Sequence, residues 1–405
     1  MTDRSDMGLL TPSQARANAW LSWITAGVAL TGAQLISPSL PAMKADLELT
    51  EPELALVMSV YLLPGSLAAI PVGLAADRFG RRRVLGSALV LFGLCGVGLL
   101  LSQSFELFLA IRFIQGIAFA GLLPLSMTVL GDIFRGAELV GSQGKRAVAM
   151  SIGDSAFPVL GGLLVTIAWK APWAGQLLAI PVGLLVLTRL VDIPVSADSP
   201  RHKRLRAFLQ LFRSGYVIAL QYAGFLRMFL KFAILTFLPV HLVDNRGASA
   251  AFAGLAVGLS AFAGTAIAAF SGRIARLGRP TWLVGAGVVA MGLALGGMTG
   301  LEWRWMVLVS ACVYGAGDGL LGVFINSFTT AATGQEQRAG FVAATGAVRN
   351  FAKFAAPSIF ATLAVVLSME SAFLLLAAVA VASAGMAALM KPLEERLASQ
   401  SLGTV

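Results

Sequence analysis

The sequence is poor in charge: Asp, Glu, Lys and Arg make up 12% of its 405 residues, against 57% hydrophobic residues. So apolar a chain cannot stay dissolved in water, and it leaves no large water-facing domain to house. Histidine occurs twice, at His202 and His241, and neither belongs to an H-E-x-x-H pattern. With no Ser/His/Asp grouping either, the chain is not expected to be an enzyme. Its two cysteines, Cys95 and Cys312, lie in apolar runs in different halves without ligand spacing, which argues against a disulfide framework and against a metal site. No cofactor is expected. The run Gly141-Ser142-Gln143-Gly144-Lys145-Arg146 lacks the chemistry of a phosphate loop, because Leu139 stands where the first glycine belongs and Arg146 replaces Ser or Thr. ATP drive is thereby disfavoured, and a proton gradient is the expected energy source. Acidic residues number 20 against 30 Lys and Arg, a formal net charge of +10. In a soluble protein that surplus would invite a nucleic-acid reading; here the placement of the cations points to a membrane, and no nucleic-acid partner is expected.

What the chain has in abundance is apolar runs. A helix needs about 20 mostly apolar residues to cross about 30 Å of hydrocarbon. Such runs occur near 19–40, 53–74, 84–102, 106–129, 147–168, 173–191, 216–240, 250–271, 281–300, 305–327, 340–366 and 371–390. With the amino terminus inside, 21 of the 30 cations fall in inside segments, and only Lys44, Lys170, Arg246 and Arg304 fall outside. That bias sets the expected orientation, with both termini cytoplasmic and an even number of spans. Arg4 and Arg16 precede the stretch Trp20 to Ile36 without a small-residue cleavage site, so an uncleaved first span is expected. The fold expected is an all-α membrane protein of twelve transmembrane helices in two six-helix halves, 1–195 and 215–405. Residues 196–214, with Pro200 and the basic run RHKRLR, read as a cytoplasmic linker resting on anionic lipid headgroups.

An internal repeat supports two halves. Gly73 and Gly272 each open a basic loop 199 residues apart, and the same offset relates Gly116 to Gly315 and Pro158 to Pro357. Parallel repeats about an axis along the membrane normal are one plan of secondary transporters, which bind substrate between the repeats near the midplane. A channel suits such a repeat less well than alternating access does.

Three motifs carry a family resemblance. The loop after the second run reads Gly73-Leu74-Ala75-Ala76-Asp77-Arg78-Phe79-Gly80-Arg81-Arg82-Arg83. Gly73 permits close helix approach, and Gly80 a turn with positive φ. The loop matches motif A of the major facilitator superfamily, G-x-x-x-D-R-x-G-R-R, residue for residue. The second copy, Gly272 to Arg279, lacks the aspartate and keeps only the turn. Arg112-Phe113-Ile114-Gln115-Gly116 in the fourth run resembles motif B, R-x-x-q-G. Gly153-Asp154-Ser155-Ala156-Phe157-Pro158-Val159-Leu160-Gly161-Gly162 in the fifth is similar to the antiporter motif C, G-x-x-x-G-P-x-x-G-G, with Phe157 in place of the second glycine. The chain thus resembles the twelve-helix drug/proton antiporter branch. The resemblance implies a latch loop in which Asp77 is the charge-pairing residue, a proton-coupling role for Arg112, and close helix contact at Gly153, Pro158, Gly161 and Gly162. It also implies proton-coupled efflux of a small organic molecule, drug-, siderophore- or metabolite-like, across the cell inner membrane. Proton symport for metabolite uptake and a transport-inactive receptor or scaffold are the alternatives. The expected partners are a small-molecule substrate, protons and the lipid bilayer, and the expected state is a monomer.

The remaining candidates are charges inside the apolar runs, where ionisable groups are costly and mark function. The cations are Arg112, Arg227, Lys231, Arg349 and Lys353, and the clear carboxylates are Asp154 and Asp318. Arg227 with Lys231, and Arg349 with Lys353, are spaced i, i+4 and share a helix face. Three cations are in excess, and an anionic substrate group would neutralise them. Asp154 and Lys353 are also 199 apart, each four residues before its proline, and are expected to form or alternate in a charge pair. Asp318 is the other candidate proton carrier.

Overall fold

The computed structural model describes residues 10–193, 214–276, 278–300, 303–332 and 335–402, without the side chains of 335–340, 343 and 397–402. The 196–214 linker therefore lies outside the described residues except for Ser214. Among the described residues there is no strand. Eleven helices among the described residues are long and apolar enough to cross a membrane, and one bent pair, Glu51–Leu67 with Ala69–Phe79, taken as one span makes twelve. The chain divides into two compact units, Met1–Ala197 and Asp198–Val405.

In lipid every backbone polar group needs a partner within the protein, so helices persist wherever apolar sequence does. Their starts carry short polar caps. Thr11 and Thr50 each close a capping box with Gln14 and Glu53, and Ser104, Ser249 and Ser368 accept from the amide three residues on. Each cap stabilises its first turn by about 1 kcal/mol. Helices outrun the apolar windows where polar residues keep helical propensity: the fifth span begins at Gly136, eleven residues before its apolar run, and continues to Val165.

Two spans of the first unit are interrupted. Span one, Pro12–Asp46, passes from α-helix to 3₁₀ turns at Ala29–Gly32 and Ser37–Ser39 before resuming at Leu40. Span two bends by 48° at Ala68. Pro71 lacks the N–H that would bond the Leu67 carbonyl, so the helix yields there. Pro158 in span five and Pro357 in span eleven are likewise inside helices, and each withholds a donor from the carbonyl four residues back, that of Asp154 and that of Lys353.

Glycine sets the closest helix crossings, and it does so twice in the same register. In the first unit Gly116 lies on the Tyr61 carbonyl of span two, and Gly65 lies beside the Gly116 carbonyl. In the second, Gly315 lies on the Ser260 carbonyl and Gly264 beside the Gly315 carbonyl. Tyr61 and Ser260, Gly65 and Gly264, and Gly116 and Gly315 are all 199 residues apart. Close packing through small residues is how membrane helices gain contact where lipid supplies no hydrophobic drive. The repeat is therefore one of contacts as well as of residue types.

Span ten, Arg304–Ala331, packs through glycine on two faces. Gly319 meets the Gly264 backbone of span eight, Ala250–Ala269, and Gly317 meets the Gly287 carbonyl of span nine, Pro280–Gly300. Gly319→Ala should lower stability by about 1–3 kcal/mol, because its methyl group would press on backbone that cannot rotate away. Gly346→Ala, with nothing within 4 Å of the added carbon, should be neutral or stabilising. Thermal unfolding of the two purified variants checks the contrast.

Candidate functional site

In the first unit the charged side chains of Arg112 and Asp154 are tied to span one. Arg112, on span four, Phe105–Ile133, is fully buried. Its Nε donates to the Val57 carbonyl at 3.1 Å, and one terminal nitrogen donates to the Gly32 carbonyl at 3.1 Å and to Gln115 Oε1 at 2.8 Å. The guanidinium lies 4.2 Å from the centre of the Tyr61 ring and 5.3 Å from that of Trp173. Gly32 belongs to the interrupted part of span one, where the backbone turns to offer a carbonyl sideways. Gln115 continues the network to the Phe92 carbonyl and to Gln176 Oε1 at 2.5 Å. Arg112 is thus a three-way tie between spans one, two and four, roofed by aromatic faces.

Asp154 sits on span five one turn before Pro158 and accepts from Gln34 Nε2 at 2.6 Å. Gln34 also lies in the interrupted stretch of span one. Around this pair span five keeps its small residues toward span one: Gly161 lies on the Leu35 carbonyl, and Gly153 faces Leu30. The Phe157 ring folds back along its own helix against Gly153. Pro158 and Gly162 are buried with them.

The motif A loop is tied at both ends. Gly80 takes φ of 91°, open to glycine at no steric cost. A Cβ there would also strike the Asp192 carboxylate, which accepts from the Arg82 amide at 2.8 Å. Arg81 pairs with Asp77 at 3.3 Å and with Asp132 at the end of span four. Arg78 is exposed and lies over Phe79, and Gly73 has open space beside it. Asn18 exchanges two hydrogen bonds with the Val191 backbone, and a small cavity opens among Asn18, Arg81, Asp132 and residues 190–193. Asp132, Asp192 and Asn18 were not singled out from the sequence. Asp132 and Asp192 are ordinary-looking polar residues near helix ends and Asn18 is one inside a helix, and only the fold brings them to the loop.

In the second unit Arg227, on span seven, Gly215–Val240, pairs with Asp318 of span ten: Nε is 2.8 Å from Oδ1, and a terminal nitrogen donates to Oδ2 at 3.0 Å. Lys231 follows one turn later on the same helix. Arg349 donates to Asn326 Oδ1 at 2.9 Å, and Lys353, one turn on, donates to Asn350 Oδ1 at 3.2 Å and lies 5.9 Å from the Phe232 ring centre. Arg227 and Arg349 thus both meet span ten. His241 is buried in a π-helical turn, close to the Thr299 carbonyl.

Breaking the Arg227–Asp318 pair leaves an unmatched charge largely out of water. Asp318→Asn should cost about 3 kcal/mol, and adding Arg227→Gln should restore at least half of that loss. A double-mutant cycle by thermal unfolding measures it, and an unchanged Asp318→Asn protein contradicts the pairing.

The profile of the Major Facilitator Superfamily matches residues 22–357 and, in a second overlapping match, 222–404. The Bacillus subtilis bacillibactin exporter is 31% identical over 149 residues, 35% of this chain and 37% of that protein. The Escherichia fergusonii multidrug resistance protein MdtL is 30% identical over 200 residues, 46% of this chain and 49% of that protein. The matched segments thus span less than half the length of either relative. A solved D-xylose-proton symporter is alike in fold, with a TM-score of 0.71 over 92% of this chain and 97% of the other at 17% identity.

Proposed function

The chain belongs to the Major Facilitator Superfamily, and from that membership and the geometry of the first unit we propose that it is a proton-coupled exporter of a small organic molecule. It is a multi-pass membrane protein. In this proposal it works by alternating access in the cell inner membrane, as a monomer with both termini cytoplasmic, and draws on the proton gradient without a cofactor. The observation that carries the reading is Asp154. A carboxylate inside a spanning helix is expensive and marks an ion or proton path. This one stands where Pro158 has freed its own carbonyl, and it is hydrogen-bonded to Gln34 in the interrupted part of span one. Protonating it removes a charge from a place where span one is irregular and span five lacks one backbone hydrogen bond, which is where a small energy change can shift a helix. The likeness to a bacillibactin exporter and a multidrug resistance protein supports export and a drug-, siderophore- or metabolite-like substrate.

In the same proposal Asp77 and the loop from Gly73 to Arg81 act as a cytoplasmic latch, and Arg112 couples proton movement to span one through Gly32. Proton symport is the second reading, favoured by Phe157, whose ring occupies the space that a glycine would leave open beside Gly153.

Everted membrane vesicles acidified inside test the proposal, with a panel of lipophilic dyes and siderophore-like acids. Export predicts that at least one compound accumulates in the vesicles with release of protons, that a protonophore abolishes this, and that Asp154→Asn reduces it at least about tenfold. Accumulation only in right-side-out vesicles would establish symport instead, and no substrate-linked proton movement in either would leave a receptor or scaffold.

A further inference from the structure

We infer that the second unit carries a binding site for the carboxylate of an aromatic organic acid, with the guanidinium of Arg349 as its anchor. This rests on the transporter reading and names the chemistry that the substrate would present.

The site is laid out along one stripe of span ten. Tyr314, Asp318, Gly322 and Asn326 follow at four-residue intervals and so share a face of the helix. Asp318 takes Arg227, in contact at both carboxylate oxygens. Gly322 gives that guanidinium its bed: a Cβ there would stand 2.9 Å from an Arg227 nitrogen. Asn326, the next step along, takes Arg349. Gly224 on the seventh span gives Arg349 room in turn, with the position of a Cβ 3.4 Å from its Nε. Both arginines are thus seated over glycine, and their charges are treated differently. Arg227 has a carboxylate. Arg349 has a neutral amide on one terminal nitrogen, while its other terminal nitrogen is enclosed with no acceptor. Arg227 also acts on it as a like charge.

Arginine keeps its proton in proteins, so Arg349 cannot relieve this by becoming neutral. An enclosed guanidinium nitrogen without an acceptor costs free energy, and the group that fits its fork is a carboxylate or a similar oxyanion. Asn326 is exposed, which leaves the site open on its side. The apolar part of the ligand has a surface to meet. Phe225, next to Gly224, stacks on Phe229 at 5.8 Å, and its ring centre lies 6.4 Å from that of Phe351, two residues beyond Arg349. Phe351 is 58% exposed. Aromatic rings beside a guanidinium that lacks a carboxylate select an aromatic acid over a cation, which Arg349 would repel.

Thermal unfolding of the purified full-length chain in detergent tests the site with three probes of one shape: salicylate, neutral salicylamide and cationic benzamidine. Salicylate should stabilise the wild type in a saturable way, and the other two should not. Arg349→Gln should weaken the apparent salicylate affinity at least about tenfold, and Arg349→Lys should recover part of it. Asn326→Asp supplies an internal carboxylate to Arg349 while leaving that residue in place, so it should abolish the salicylate response without lowering the melting temperature of the ligand-free protein. It decides the matter if Arg349→Gln does not fold. Equal salicylate responses in wild type, Arg349→Gln and Asn326→Asp would overturn the assignment, as would a stronger response to benzamidine or no response of the wild type to salicylate. Proton-linked export without salicylate binding would overturn this site alone. Salicylate binding without proton-linked transport would uphold it and overturn the transport reading.

Discussion

A guanidinium in hydrocarbon must be surrounded by acceptors, and the organisation of the first unit follows from how Arg112 meets that demand. No carboxylate contacts it among the described residues. It is satisfied by the carbonyls of Gly32 and Val57, by Gln115, and by the faces of Tyr61 and Trp173. A regular α-helix uses its carbonyls internally, so the Gly32 carbonyl is on offer because span one turns aside there. The irregular backbone is tolerated in the membrane because a buried side chain satisfies it. The break in span one and the burial of Arg112 are two sides of one arrangement. Gln34, within the same interrupted stretch, is then placed to meet Asp154.

The second unit solves the same problem differently. Its arginines come from spans seven and eleven and converge on span ten, where a carboxylate and an amide stand two turns apart on one face. The helix can offer that face because glycines on its other faces bring spans eight and nine into backbone contact. The two units therefore share their glycine crossings at a constant offset of 199 residues and differ in their charges. Duplication explains the shared scaffold. Divergence of charge on that scaffold gives the two units different side-chain chemistry.

The architecture was legible in the sequence because its signals are local. Apolar run length reads off a short window, the repeat off a constant offset of 199 residues, and the motif residues Gly80, Arg81 and Arg112 announced themselves by type and spacing. The partners were not legible. Gln34, Trp173, Gln176 and Asn326 are neutral residues in apolar helices, brought to their charges by packing between segments far apart in the chain. The tie of Asn18 to Val191 spans 173 residues. Nor did the sequence show that span one is interrupted, because 3₁₀ turns leave the apolar run intact. The fifth span's extension to Gly136 was missed for the opposite reason, since its polar first turns fall outside any apolar window.

Hydrogen–deuterium exchange of the purified protein tests most directly whether Arg112 holds the interrupted span. Replacing Arg112 by methionine keeps the length and apolar stem of the side chain and removes its donors. The account predicts exchange at least about tenfold faster across residues 29–39, with residues 215–245 unchanged. Wild-type protection across 29–39 in that variant would contradict it.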